Sequence, residues 1–203
     1  MTEREEQPRI VATLLSRIGT WRDVRDAARN TVNKPPLGDA EVSSSFKRKI
    51  LMAEHSPIRC LQFRIRLENL PSWVSVHLVR HNIGVTHFVT TQRQDRTGRK
   101  VHRSQLPQGS LVAHEMMVNA QAFINISRKR LCYLASPETT IAWTKVRELL
   151  LSSGEPEVAA AMVAECVYRG FCPEMSRCKS NYVCTPKFQR DLEKYRRSSS
   201  GAD

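Results

Sequence analysis

The spacing of hydrophobic positions changes several times in the first third of the chain, and each change indicates a different element. Residues 10–15 form a short apolar run typical of a strand, and residues 21–30 have helical spacing with Thr20 placed to cap them. Residues 42–54 predict a second helix, because apolar side chains recur at helical intervals after a group of serines. Residues 60–67 alternate between apolar and polar, which predicts a strand with one solvated face.

The rest of the chain is predicted to be mainly helical. Residues 74–85 form an apolar, strand-like run, and residues 109–134 show apolar side chains recurring on one helical side. Further helical segments are predicted over residues 137–151 and 158–167. Residues 190–203 are charged and rich in serine, and we expect them to fray.

Size and charge narrow the class of protein. The chain has 203 residues, enough for one sizeable core or one domain with an appendage. Lysine and arginine outnumber aspartate and glutamate by 32 to 20, and the net charge of +12 attracts anions such as nucleotides, nucleic acid or phosphorylated cofactors. The polar N-terminus does not resemble a signal peptide and no apolar run is long enough to span a bilayer, so we expect a cytoplasmic protein without a membrane partner.

The cysteines near the C-terminus are evenly spaced. Five residues separate each member of this series from the next: Cys166, Cys172, Cys178 and Cys184. Four thiolates can hold a tetrahedral zinc ion, but structural zinc sites usually use shorter gaps between paired ligands. The series therefore predicts either a zinc site or separate structural thiols.

Basic and amide side chains gather in three places. The first is Arg80-His81, the second surrounds Arg103, and the third lies between Asn119 and Arg130. If residues 119–130 were one helix, its two ends would share a face after about three turns, with Asn125 on the flank. No dinucleotide-binding glycine motif, phosphate-binding loop or HExxH zinc motif is present, so these clusters carry the candidate chemistry.

These clusters resemble the motifs of the flavin-dependent thymidylate synthases. That family carries an Arg-His-Arg-x-x-Ser marker after an apolar run, and Arg80-His81 match its first two residues. Asn119, Asn125 and Arg130 match a second family pattern with its full internal spacing. Arg103 stands before a Leu-Pro pair, as in a third family element.

Weaker matches extend the resemblance to about residues 10–150. His55 lies in a Glu-His-Ser-Pro-Ile segment similar to the family's Gly-His-x-Ser-Pro-Phe, and residues 142–147 stand where an Ala-Gln-x-Glu-Ile-Arg segment is expected. Several marker positions depart from the pattern: Asn82 stands for Arg, Val85 for Ser, and His87-Phe88 for Asn-Glu.

The resemblance implies an α+β fold with a mixed or antiparallel sheet packed against helices, over residues 1–152. A cysteine-rich helical extension with a basic tail would follow over residues 153–203. The implied activity is a methyltransferase reaction of nucleotide biosynthesis: flavin-dependent one-carbon transfer to C5 of a deoxyuridine monophosphate (dUMP) or related pyrimidine. FAD is the implied cofactor, methylenetetrahydrofolate and NADPH are the implied co-substrates, and the implied assembly is a homotetramer.

The resemblance also implies residue roles. Arg130 would be the catalytic residue that holds the pyrimidine, and it would share substrate binding with His77, Thr90, Thr91, Arg93 and Arg103. The flavin would be bound by His55, Arg80, His81, Asn82, Asn119 and Asn125. Arginine suits a nucleotide phosphate because its guanidinium offers a bidentate pair of donors.

Two other interpretations remain open at the level of sequence. The altered marker is also consistent with a protein that has lost catalysis and binds nucleotides or nucleic acid through its basic surface. The cysteine series is consistent with a zinc-binding interaction protein.

Overall fold

The structure, a computed structural model, describes residues 9–200, without the side chains of residues 198–200. The strands are β1 Val11–Ile18, β2 Gln62–Pro71, β3 Val85–Val89 and β4 Leu111–Asn119. The helices are α1 Trp21–Asn30, α2 Ser44–Met52, α3 Ser72–Val79, α4 Gln94–Thr97, α5 Ala120–Arg130, α6 Pro137–Ser152, α7 Pro156–Ala161, α8 Glu165–Arg169 and α9 Pro186–Ser200. Short 3-10 turns lie at Ser56–Cys60, Arg103–Gln105 and Tyr182–Cys184.

The four strands form one antiparallel sheet in the order β1-β2-β4-β3. The central pair runs from Gln62 opposite Asn119 to Pro71 opposite Leu111. Alternate residues of β4 are buried against the helices, as expected for a sheet with one covered face. The α+β class with an antiparallel sheet, predicted from the resemblance, is confirmed.

The strand-like interpretation of residues 74–85 is wrong. Pro71 lies at the N-cap of helix α3, which packs against β2 and β4 and ends at the cap residue Arg80. Nearly every residue of this short run is apolar, so the spacing of its apolar residues cannot distinguish a buried helix from a buried strand. The change moves His77 from a predicted strand to the last turn of a helix.

The helical interpretation of residues 109–134 is wrong in its first half. Residues 111–119 form strand β4, and the helix begins only at Ala120. The buried positions Val112, His114, Met116 and Val118 alternate with partly exposed ones, which is the period of a strand. Asn119 therefore caps helix α5 instead of lying within it.

The main core lies between the covered face of the sheet and helices α5 and α6. Phe63, Phe123 and Trp143 are its largest fully buried aromatic side chains, and it continues as far as Met162. A second, smaller cluster is formed by buried residues between Ala164 and Tyr195. The division predicted at residue 152 stays a prediction, although the main core passes beyond that point.

The C-terminal segments differ from the prediction in two ways: one predicted helix is divided in two, and the predicted frayed tail is largely a helix. The helical segment expected over residues 158–167 is two short helices, because Pro156 opens α7 and the chain becomes extended between Met162 and Ala164. Residues 186–200 form helix α9, whose apolar side chains complete the smaller core, so the fraying expected from residue 190 is not seen there. Residues 201–203 lie outside the described residues. Within the described part of the chain, no helix is both long and apolar enough to cross a membrane.

Candidate functional site

The end of helix α5 meets the end of helix α3. Arg130, the last residue of α5, donates from Nε to His81 Nε2 at 2.8 Å and from Nη2 to the backbone oxygen of His77 at 2.7 Å. His77 Nδ1 lies 3.0 Å from Thr139 Oγ1 at the start of α6. We call His77, Arg80, His81 and Arg130 the α5-end cluster; the structure brings together these four residues that the sequence selected.

The α5-end cluster is electropositive and has no acidic partner. Among the described residues neither Arg80 nor Arg130 forms an ion pair, and Nη1 of Arg130 has no hydrogen-bond partner. Burial, followed by the nearby Arg80 charge, lowers the pKa of Arg130. Two cations held close together without a carboxylate repel each other, and a bound anion relieves that repulsion.

Both histidines of the cluster are held neutral. Burial, then the charges of Arg130 and His87, lower the pKa of His81 from 6.5 to about 4. Burial and the charges of Arg130 and Arg80 lower the pKa of His77 as well. Because His81 Nε2 accepts from Arg130, neutral His81 carries its proton on Nδ1, and that N–H forms no hydrogen bond within the described residues.

A chain of hydrogen bonds, part-buried at His87 and buried at His114, runs from this cluster into the sheet. His87 Nε2 lies 2.8 Å from the backbone oxygen of His81, and His87 Nδ1 lies 2.9 Å from His114 Nε2. His114 Nδ1 lies 3.0 Å from Ser75 Oγ. We call His87, His114 and Ser75 the histidine chain.

The partners determine the tautomers of the histidine chain. A carbonyl oxygen only accepts, so His87 donates from Nε2 to His81; with the single ring proton placed there, Nδ1 of His87 accepts from His114. His114 therefore carries its proton on Nε2, and its Nδ1 accepts from the Ser75 hydroxyl. Each link donates in the same direction, toward the backbone of His81.

Neither His114 nor Ser75 was selected from the sequence, and His87 was noted only as a departure from the family marker. The alternation of apolar and polar residues along β4 would have placed His114 on the buried face of a strand. A buried histidine requires hydrogen-bond partners, so that position would have marked it as a candidate. Because that segment was interpreted as a helix, this alternation was not recognised.

Asn119 lies where strand β4 turns into helix α5. Its side-chain oxygen accepts from the Ala122 N–H at 2.8 Å, and its backbone N–H donates to Gly84 at 3.1 Å. Gly84 has a positive φ of 73°, and a Cβ there would lie 2.6 Å from the Asn119 amide nitrogen. The glycine thus lets the turn after His81 approach this amide, and Asn82 lies exposed on the same turn.

His55 and Asn125 lie beside a separate polar cluster. Glu54, next to His55, accepts from Gln121 at 2.6 Å and pairs with Arg128, while Gln121 also donates to Asn125 at 3.3 Å. Asn125 is five residues from Arg130, about 140° around the helix at 100° per residue. The predicted flavin residues therefore divide between two faces of α5.

The predicted phosphate ligands Arg93 and Arg103 line one open cavity of about 390 Å³. Asp95 neutralises Arg93 through two hydrogen bonds of 3.0 and 2.7 Å, whereas the Arg103 side chain has no hydrogen bond or ion pair with a described residue. We call this space the loop cavity. Thr90 and Thr91 are exposed in the segment leading to it, and the Thr91 hydroxyl accepts from the Arg93 N–H.

The loop cavity and the α5-end cluster lie toward opposite ends of the same strand pair. Thr90 bonds to Ala113 and Gly84 bonds to Asn119, so six residues of β4 separate the two ends. At about 3.4 Å per residue this is a distance of roughly 20 Å. The residues that line the loop cavity include Arg93 and Arg103 but not His77 or Arg130.

The predicted metal ligands are free thiols. Cys166 is buried, Cys172 and Cys178 are partly exposed, and Cys184 is exposed. Within residues 9–197 no three His, Cys, Asp or Glu side chains are arranged to hold a metal ion. Burial raises the pKa of Cys166 to about 11, so that thiol is neutral at pH 7.

Comparison with known proteins identifies the architecture. No protein-family model matches the chain, and no curated protein matches its sequence. A UMP/dUMP methylase, PolB from Streptomyces cacaoi bound with 5-Br dUMP, is similar in structure with a TM-score of 0.62 and 13% identity, covering 81% of this chain and 97% of that one. Thymidylate synthase X from Helicobacter pylori, solved with FAD and dUMP, has a TM-score of 0.61 and 10% identity. The match covers 76% of this chain and 99% of that one.

This chain has the flavin-dependent thymidylate synthase fold. The fold was predicted from the resemblance of a few arginines, histidines and asparagines, and the comparison confirms it. At such low identity the likeness establishes the fold, and the roles of the site residues stay predictions.

Proposed function

We propose that this chain binds a pyrimidine deoxynucleotide monophosphate together with FAD and transfers a one-carbon unit to C5 of the pyrimidine. The observation that carries the proposal is the α5-end cluster, where Arg80 and Arg130 lie close together without an acidic partner among the described residues. Two solved proteins of the same fold bind 5-Br dUMP, or FAD and dUMP.

Arg130 suits the reacting end of a pyrimidine. Its Nε and Nη2 are fixed by His81 and the His77 carbonyl, so the guanidinium is oriented and Nη1 is left for a ligand. An oriented cation beside a pyrimidine oxygen favours the electron-rich, anionic form of the ring, and C5 of that form is the better nucleophile. Arg130 would thereby bind the substrate and promote attack by C5.

The residues around the cluster fit a flavin with a pyrophosphate. Arg80 is an exposed cation for phosphate oxygens, the His81 Nδ1–H is a free donor, and the amides of Asn82 and Asn125 are exposed. When bound, reduced FAD supplies the hydride that completes the transferred methyl group. Methylenetetrahydrofolate as carbon donor and NADPH as reductant complete the proposed reaction.

We infer that the working site is shared between subunits. The Thr90 and Gly84 ends of the β3–β4 pair are roughly 20 Å apart, which is longer than one nucleotide monophosphate can span. The loop cavity that Arg103 lines follows the Thr90 end, whereas the α5-end cluster adjoins the Gly84 end. A second copy that places its loop cavity against the α5-end cluster would supply the phosphate ligand. This arrangement agrees with the homotetramer that the sequence resemblance implies.

Arg103→Ala is expected to weaken dUMP binding by about 10- to 100-fold, because a charge-assisted contact to phosphate is lost. Binding of deoxyuridine, which has no phosphate, should change little. Isothermal titration with both ligands checks this difference.

Arg93→Ala is the matched control, since Arg93 lines the same cavity but is already neutralised by Asp95. We expect an effect of less than about threefold on dUMP binding. Equal losses in both variants, or an equal loss for deoxyuridine, would contradict the assignment of Arg103 to the phosphate.

The activity itself is tested by release of tritium from [5-³H]dUMP in the presence of FAD, methylenetetrahydrofolate and NADPH, because alkylation at C5 expels the C5 hydrogen. The purified protein should also show the visible absorption of bound flavin. A protein that takes up neither FAD nor dUMP would overturn the proposal.

A catalytically lapsed protein that binds nucleic acid through its basic tail is the second candidate. Its support is the net charge, but on helix α9 Lys187 pairs with Asp191 and Arg197 pairs with Glu193, so part of the tail charge is neutralised. Binding of dUMP without tritium release, together with salt-sensitive binding of nucleic acid, would favour this candidate.

A further inference from the structure

A small cavity lies between the loop after α5, helix α8 and the segment that follows α8. Four of its wall residues are cysteines: Cys132, Cys166, Cys172 and Cys178. Its volume of about 20 Å³ has room for a single water-sized occupant. Cys184, the last member of the evenly spaced series, is exposed and does not line this cavity.

The structure thus changes the membership of the cysteine set. Three members of the evenly spaced series reach the cavity, and the fourth sulfur comes from Cys132, far upstream in the chain. Four thiolates are the ligand set of a closed structural zinc site, and soft sulfur ligands select zinc over hard cations. The gaps from Cys166 to Cys172 and from Cys172 to Cys178 stay longer than those of a zinc knuckle, so such a site would be closed by tertiary packing against Cys132 instead of by a local knuckle.

The segment between α8 and the last 3-10 turn has little to hold it in place. Residues 171–181 contain no helix or strand, and the small core beside them is built from few buried side chains. Small cores with long irregular segments usually need a staple such as a disulfide or a metal. All six cysteines are free thiols, so a disulfide does not provide that staple.

We propose that Cys132, Cys166, Cys172 and Cys178 bind one structural zinc ion that fixes this segment against helix α8 and the loop after α5. As the side chains stand, no three potential ligands in the described part of the chain are arranged to hold a metal. Binding therefore requires the thiols to turn into the cavity, and rotation about χ1 between staggered positions is the movement available to cysteine. The site would have no open coordination position, so its role is structural and separate from the proposed pyrimidine chemistry.

The first experiment measures zinc content by elemental analysis of the full chain purified without chelator. We expect a single zinc ion per chain in the wild type, its loss in Cys132→Ser, and its retention in Cys184→Ser. The second variant is the matched control, because it removes a cysteine of the same series that lies outside the cavity. Loss in Cys184→Ser with retention in Cys132→Ser would overturn the proposed ligand set.

The second experiment needs no variant and so does not depend on the folding of a mutant. The wild-type chain is stripped of metal and titrated with Co²⁺, which gives intense thiolate charge-transfer and tetrahedral d–d absorption when four sulfurs bind it. Saturation at one equivalent supports the site, and displacement of Co²⁺ by Zn²⁺ supports it further. A folded wild-type chain that contains no zinc and gives no thiolate–cobalt absorption would overturn the proposal, whatever the outcome for FAD and dUMP.

Discussion

Replacing Arg130 with alanine is expected to lower the rate of C5 tritium release from dUMP by about 100- to 1000-fold, the range found when one oriented transition-state donor is removed. The structure gives the reason: the guanidinium is held by His81 and the His77 carbonyl, and it has no competing carboxylate in the described chain. The measurement is tritium release at saturating and at low dUMP, which separates kcat from KM.

Lys129→Ala is the control for this change. It removes the same charge from the adjacent residue of helix α5, but Lys129 is exposed and paired with Glu174 at 3.4 Å. An exposed ion pair of this kind contributes at most about 1 kcal/mol. We expect near wild-type tritium release from Lys129→Ala. Equal losses in the two variants would show that the Arg130 effect comes from the loss of one positive charge near the end of α5 and not from a contact of Arg130 with the substrate.

Arg130→Lys tests the geometry. Lysine keeps the positive charge but cannot bond to His81 and His77 while presenting a third donor, so we expect an activity between those of wild type and Arg130→Ala. All these variants should keep the wild-type thermal transition. If activity falls in proportion to the amount of folded protein, Arg130 stabilises the fold and has no separate role in the reaction.

Some residues selected from the sequence lie together in the structure, although the elements that carry them were misassigned. Arg80, His81 and Arg130 were selected because their spacing resembled known motifs, and the structure brings them together. Yet the elements on both sides were misassigned: the apolar run before Arg80 is a helix, and residues 111–119 are a strand. Short apolar segments are ambiguous between the two because both can be buried all round.

Other parts of the site could not be predicted from local pattern at all. The place of Asn119 at the N-cap of α5 follows from the pairing of β4 within the sheet, and the place of the loop cavity beyond the Thr90 end of the strand pair follows from the register of β3 on β4. The convergence of Cys132 with the later cysteines depends on how helix α8 packs near α5. Each of these is a tertiary arrangement between segments distant in sequence.

His114→Leu is expected to destabilise the fold by about 2–4 kcal/mol at neutral pH, because it leaves a buried hydroxyl and a partly buried ring nitrogen without partners. These are the Ser75 hydroxyl and Nδ1 of His87, which lie 3.0 and 2.9 Å from the two ring nitrogens of His114. Urea unfolding measures the loss. His102→Ala is the control, since His102 is exposed and bonds only to the neighbouring Ser104, and it should change stability by less than about 0.5 kcal/mol.

The same variant has a second, independent signature in its response to pH. Burial, then the electrostatic repulsion that His87 would exert on a second protonated ring, lower the pKa of His114 from 6.5 to about 4. Between these values the unfolded chain takes up a proton that the folded chain does not. Stability from this group is therefore complete above the unfolded value and is lost as the pH falls toward 4. For His114 alone the loss between pH 7 and pH 5 is about 2 kcal/mol.

We therefore expect His114→Leu to show a shallower loss of stability on acidification than the wild type, in addition to its lower stability at pH 7. His81 and His77, whose pKa values are also lowered, keep some of the slope in the variant. Equal slopes of unfolding free energy against pH in the two proteins would show that the pKa of His114 is the same in the folded and unfolded states, which would contradict the lowering expected from its burial. A shallower slope would establish that His114, buried beneath the Arg80-His81 turn, is folded in its neutral form.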